Sequence, residues 1–173
     1  MSRERDRDTG GRPRNARPRD ALGRPLDRSG SGAGPDRIPD DLLLAGADAA
    51  RLADELLRAG RPFHAHEVLE ASWKSGPAGE RDLWQGLAQI AVGLTHAHRG
   101  NARGAVALLT RGSQRVRAYQ AVSAASAARD RPYGIDLGAF LAASEALAAR
   151  IDRDGLADIP GADLRPGLIA DPG

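Results

Sequence analysis

The sequence predicts an all-α fold: a single compact domain of about five short helices, with a disordered N-terminal head and an irregular C-terminal tail. Three observations predict it. Residues 38–152 are rich in Ala and Leu, they contain no period-2 runs of β-branched residues, and Gly and Pro cut them into segments of helical length. About 115 residues are enough for five short helices to close one core.

Each element has its own signals. The first helix is expected over 47–59, where Leu52, Leu56 and Ala59 recur at helical spacing and Gly60 supplies a stop. The second runs from Pro62, a residue suited to a first helical position, to Lys74, ahead of the breaker Gly76-Pro77. The third spans about 79–98 and ends at Arg99-Gly100. Asn101 can cap the fourth, in which Ala105, Leu109, Val116 and Tyr119 share a face. The fifth starts at the N-cap candidate Asp136 and carries Leu137, Phe140, Leu141, Leu147 and Ile151. Residues 153–173, with recurrent Pro and Gly, read as the irregular tail.

Charge separates the head from the rest. The chain holds 25 basic and 23 acidic residues, and residues 1–37 alone hold ten Arg against six acids. That head has almost no large apolar groups, so burial cannot offset the entropy of ordering it. Interleaved Asp6, Asp8, Asp20 and Asp27 favour a solvated tail over an arm for phosphate backbones. The sequence therefore carries no strong nucleic-acid signal. With no cysteine, thiolate metal sites, thiol nucleophiles and disulfides are excluded. No apolar run reaches the roughly 18 residues of a membrane span, and the head lacks a signal-peptide core, so a cytoplasmic protein is expected. Partners are not identified by the sequence, and a homo-oligomer is left open.

Three of the six aromatic residues, Phe63, Trp73 and Trp84, fall on the second helix or the start of the third. The same stretch carries the sharpest motif, His66-Glu67-Val68-Leu69-Glu70-Ala71-Ser72-Trp73. At about 100° per residue, Glu70 lies about 40° from His66, Trp73 about 20° to the other side and Phe63 about 60° away. One face thus presents an imidazole and a carboxylate framed by aromatics. On the third helix, Gln85, Gln89 and His96 fall within about 40° of one another by the same arithmetic. Such groups on a core-facing surface should meet one another or a ligand, because each costs about 1–3 kcal/mol if left unpaired. Gly86 and Gly93 lie beside this stripe, each costing roughly 1 kcal/mol in a helix interior. Close approach of a neighbouring helix would offset that cost; if the neighbour is the second helix, His66 and Glu70 come within reach of Gln89 and His96.

At these residues the chain resembles the prokaryotic domain-of-unknown-function family 309. The likeness rests on HxxxExxW (His66, Glu70, Trp73), then Gln85, Gly86, Gln89 and Ala91, then His96, Gly100, Asn101, Gly104 and Ala105. It covers about residues 50–125, and residues 12–26 look like the leader of a subgroup of the same family. What the resemblance implies is a small helical domain whose His and Glu bind a metal, without an assigned reaction or substrate.

The metal reading has a physical basis in the residues. An imidazole and a carboxylate at i and i+4 can reach one ion, and His96 would complete a two-His, one-carboxylate set with positions open to water. The metal ligands expected are therefore His66, Glu70 and His96, around zinc, manganese or another divalent ion, with Phe63, Glu67, Trp73, Gln85, Gln89 and Asn101 lining the site. No catalytic residue is assigned. Glu67 follows His66 as the base follows the first ligand in HExxH, but Glu70 stands where that motif has its second His, which removes a zinc-protease assignment. A metal-dependent hydrolase is the enzymatic form of this reading. The alternative is a non-catalytic scaffold or interaction module in which the same polar groups form a buried structural network. His64 and His98 read as surface residues.

Overall fold

Among the described residues five α-helices follow one another, α1 (Gly46–Arg58), α2 (Pro62–Ser75), α3 (Arg81–His98), α4 (Ala102–Ser123) and α5 (Leu137–Asp154), with short connections up to α4 and thirteen residues between α4 and α5. The structure is a computed structural model, and it describes residues 20, 23–24, 43–123 and 131–170. The expected disordered head lies outside the described residues except at Asp20, Gly23 and Arg24. Among the described residues there is no β-strand, only an isolated antiparallel bridge between Ile135 and Ile169. No helix among them is long and apolar enough to cross a membrane.

The helix ends are set by local chemistry. Pro62 takes the first turn of α2, where its missing N–H costs nothing. Asp136 Oδ1 accepts from the Ala139 amide at 3.0 Å and caps α5. Asn101 does the same for α4, with Oδ1 2.9 Å from the Gly104 amide. The buried face of α1 consists of Ala49, Ala50, Ala53, Leu56 and Leu57. The expected Leu52–Leu56–Ala59 stripe is thus rotated, with Ala59 exposed, because small alanines rather than Leu52 meet the neighbouring helix.

The core lies between α3 and its neighbours. Leu83, Trp84, Leu87, Ile90 and Leu94 of α3 are buried together with Val68 and Leu69 of α2, Leu109 and Val116 of α4, and Phe140 and Leu141 of α5. The most extensive packing joins α3 to α4. That contact explains the glycines of α3 and corrects the identity of the neighbour. A β-carbon on Gly86 would stand 2.6 Å from Val116 Cγ2 and 2.9 Å from the Gly112 carbonyl oxygen, and one on Gly93 would stand 2.9 Å from the Leu109 amide. The helix approaching α3 there is α4, not α2, because Gly86, Gly93 and Gly112 let two backbones come close on that side.

Two tertiary clasps complete the domain. Asp54 Oδ1 of α1 accepts from the amides of Leu168 and Ile169 at 2.6 and 3.0 Å, while Arg58 donates to the Ile169 carbonyl at 2.7 Å. Residues near the C-terminus, though irregular, are therefore held on α1, and Leu168 is buried. At the other clasp the Tyr133 hydroxyl donates to Glu80 Oε1 at 2.7 Å, Glu80 Oε2 accepts from Trp84 Nε1 at 2.9 Å, and the Tyr133 and Trp84 rings lie 5.4 Å apart. Tyr133 adopts a left-handed backbone, φ 58°.

Candidate functional site

The sequence run Phe63 to Trp73 folds within α2, which places His66 and Glu70 one turn apart on a half-buried face. His66 Nε2 stands 3.8 Å from Glu70 Oε2, with the side chains 24% and 35% exposed. Glu70 Oε1 is 3.0 Å from the exposed Lys74 ammonium one turn further on. Burial pushes the His66 pKa below its ordinary value, Glu70 opposes the shift and Lys74 adds to it. The imidazole is accordingly neutral at pH 7, the state in which a ring nitrogen can accept a hydrogen bond or ligate a metal.

The remaining atoms of the face are polar and incompletely paired. His66 Nδ1 and Gln89 Oε1 are buried, and neither has a hydrogen-bond partner among the described residues. Phe63 packs against His66 with ring centroids 6.1 Å apart. Glu67, Gln85 and Trp73 are half-buried on the same two helices, and Trp73 packs against the core. Neutral imidazole and carboxylate make this face of α2 rich in acceptors, which suits a cation or a donor-bearing ligand.

His96 belongs to a different set of contacts. Its Nδ1 lies 2.9 Å from Asn101 Nδ2, and the Asn101 carbonyl oxygen of the same side chain caps α4. A β-carbon on Gly104 would come 2.9 Å from His96 Nδ1, so the ring sits over the first turn of α4. Asn101, expected to line the site, serves this α3–α4 corner. Among the described residues no group of three His, Asp, Glu or Cys side chains is placed to hold a metal ion.

Residues that sequence reasoning missed lie at the start of α2 and in the tail. His64, expected on the surface, is 3% exposed, with its ring edge-on to Phe63 at 5.8 Å and its Nδ1 without a partner among the described residues. Burial lowers its pKa, Arg61 lowers it further and Asp20 opposes both. His98 is half-buried, with Nε2 3.3 Å from the Leu164 carbonyl oxygen. The adjacency of Pro62 and Phe63 was the one available signal that the first turn of α2 is covered. Arg103, Arg111 and Arg117 of α4 are exposed and Arg115 is half-buried; Arg115 pairs with Asp82 at 2.8 Å and Arg117 with Glu145 at 2.6 Å.

Residues 51–108 match the model of a protein family described as a domain of unknown function (DUF309). The match runs from within α1, through α2 and α3, into the first turns of α4, and it contains His66, Glu70, Trp73, Gln85, Gln89 and His96. The chain's resemblance to that family thus holds over the helices that build the site. No curated protein and no solved structure matches the chain.

Proposed function

We propose that this helical domain is a cytoplasmic binding domain for a divalent metal ion, held on α2 by His66 and Glu70. The observation that carries the reading is the 3.8 Å separation of His66 Nε2 and Glu70 Oε2 on a half-buried face. Two metal–ligand bonds of about 2 Å can bridge such a gap. The residues of α2 fit a metal in their chemistry, a neutral imidazole beside a carboxylate. A bound zinc or manganese would supply Lewis-acid chemistry, which makes a metal-dependent hydrolase the enzymatic form of the proposal. In either form Glu70 supplies the negative charge, and Phe63, packed against His66, limits the access of water.

The second reading is a non-catalytic scaffold, and Lys74 is the observation in its favour. An ammonium 3.0 Å from Glu70 Oε1 already balances the carboxylate, and His66, Glu70 and Lys74 then form one i, i+4 row of a structural helix. Titrating zinc, manganese and nickel into untagged protein by calorimetry, with Glu70→Gln as control, separates the two. Binding by the wild type that is lost in Glu70→Gln supports the metal; no binding at micromolar protein, with melting unaffected by chelator, leaves the scaffold.

A further inference from the structure

We propose that the N-terminal end of α2 is a docking seat for an Asp-x-x-Gly turn, filled in this chain by its own Asp20, Gly23 and Arg24. The turn is closed by three hydrogen bonds. Gly23 N–H donates to the Asp20 carbonyl at 2.8 Å, Asp20 N–H donates to the Arg24 carbonyl at 3.0 Å, and Arg24 N–H donates to Asp20 Oδ1 at 2.8 Å. The aspartate is thus part of the turn's own fold, through its carboxylate as well as its backbone.

Gly23 is the contact point, and the position demands glycine for two independent reasons. Its backbone is left-handed, φ 71°, a conformation L side chains rarely adopt. A β-carbon there would also stand 2.4 Å from Cγ and Cδ2 of Phe63, so the bare glycine backbone lies directly against the Phe63 ring. Gly23 is buried although it stands more than twenty residues ahead of α1 in the chain.

The seat itself is built by the first turn of α2. Pro62 is buried, Phe63 is half-buried, and His64 packs edge-on to the Phe63 ring. Asp20 lies close enough to His64 to raise its pKa against the opposing Arg61, which fits an acidic residue at this place in the turn. Phe63 also packs against His66, ring centroids 6.1 Å apart, so the seat and the candidate site share this side chain.

The test uses the full chain, with Gly23→Val and a synthetic peptide of residues 17–29 as probe. Nuclear magnetic resonance should show the Phe63 and His64 ring signals of Gly23→Val displaced from wild type, while those of Trp84 and Tyr133 stay in place. Added peptide should return them toward their wild-type positions, and a peptide carrying Gly23→Val should not. A segment tethered in cis acts at an effective concentration on the order of millimolar. The wild-type chain should accordingly need at least about tenfold more peptide than Gly23→Val for any response. Unchanged Phe63 and His64 signals in Gly23→Val, or a failure of millimolar peptide to restore them, would overturn the proposal.

Discussion

The carbonyl oxygen of Gly86 stands 2.7 Å from the point a β-carbon on Gly112 would occupy. With Gly93 one end of the crossing and Gly86 the other, α3 and α4 meet through backbone as well as side chains. An added methyl at Gly93 or Gly112 gains about 1 kcal/mol of helix propensity, but it must push a helix backbone that cannot rotate away. The net expectation for Gly93→Ala and for Gly112→Ala is a loss of about 1–3 kcal/mol, read as a lower thermal midpoint. A midpoint at or above wild type would mean the helices can separate without cost.

Acid should destabilise the domain in a defined window. Burial is the first cause of a lowered pKa at His64, His66 and His98. For each, the unfolded chain binds a proton at a higher pH than the folded one, so the stability they contribute is present above the ordinary value of 6.5 and is lost as pH falls below it. Denaturant midpoints measured from pH 7.5 to pH 5 should fall, and His64→Phe should flatten the slope. A pH-independent midpoint would contradict the burial of these rings.

At alkaline pH the sign reverses for Tyr133. Its hydrogen bond to Glu80, helped by burial and by the carboxylate charge, pushes the phenol up to about 12, above its ordinary value of 10.0. The folded state therefore keeps a proton that the unfolded state releases, and this stabilisation is full below pH 10 and lost as pH rises toward 12. Tyr133→Phe should cost about 1 kcal/mol at neutral pH, the ordinary worth of a partly exposed hydrogen bond. In a spectrophotometric titration the variant should lack the late-ionising tyrosine; retention of that step would assign it elsewhere.

Asp54 is expected to control the order of the chain after α5. Its carboxylate accepts from the Leu168 and Ile169 amides and pairs with Arg58 at 2.9 Å, with only 14% of its side chain exposed. Asp54→Ala should cost about 2–3 kcal/mol, because charge-assisted bonds are lost and two amides are left unpaired. Hydrogen exchange at Leu168 and Ile169 should accelerate more than at Leu94 in the core. Equal acceleration at all three would point to global unfolding instead of a released clasp.

The helices were legible because their signals are local: Pro62 opens α2, Asn101 and Asp136 cap α4 and α5, and Gly60 and Gly100 follow α1 and α3 with left-handed φ of 70° and 78°. The i, i+4 pairing of His66 with Glu70 is likewise a property of one helix. What was hidden depends on which helix approaches which face. Gly86 and Gly93 announced a close crossing without naming α4 as its partner, and with that partner His96 goes to Asn101. The burial of His64 and the docking of Gly23 depend on segments far apart in the chain, as does the Asp54 clasp on Leu168, and no periodicity reports such contacts.

The central claim is that His66 and Glu70 of α2 hold a divalent ion without His96. Calorimetric zinc titration of wild type, His66→Ala and His96→Ala, each checked for helical content by circular dichroism, tests it most directly. The account predicts one ion per chain in wild type, an affinity kept within about threefold in His96→Ala, and no binding in His66→Ala, because His96 pairs with Asn101 away from His66 and Glu70 whereas His66 is itself a ligand. Equal loss in both variants would restore the three-ligand set, and absence of binding in all three proteins would contradict the metal site itself.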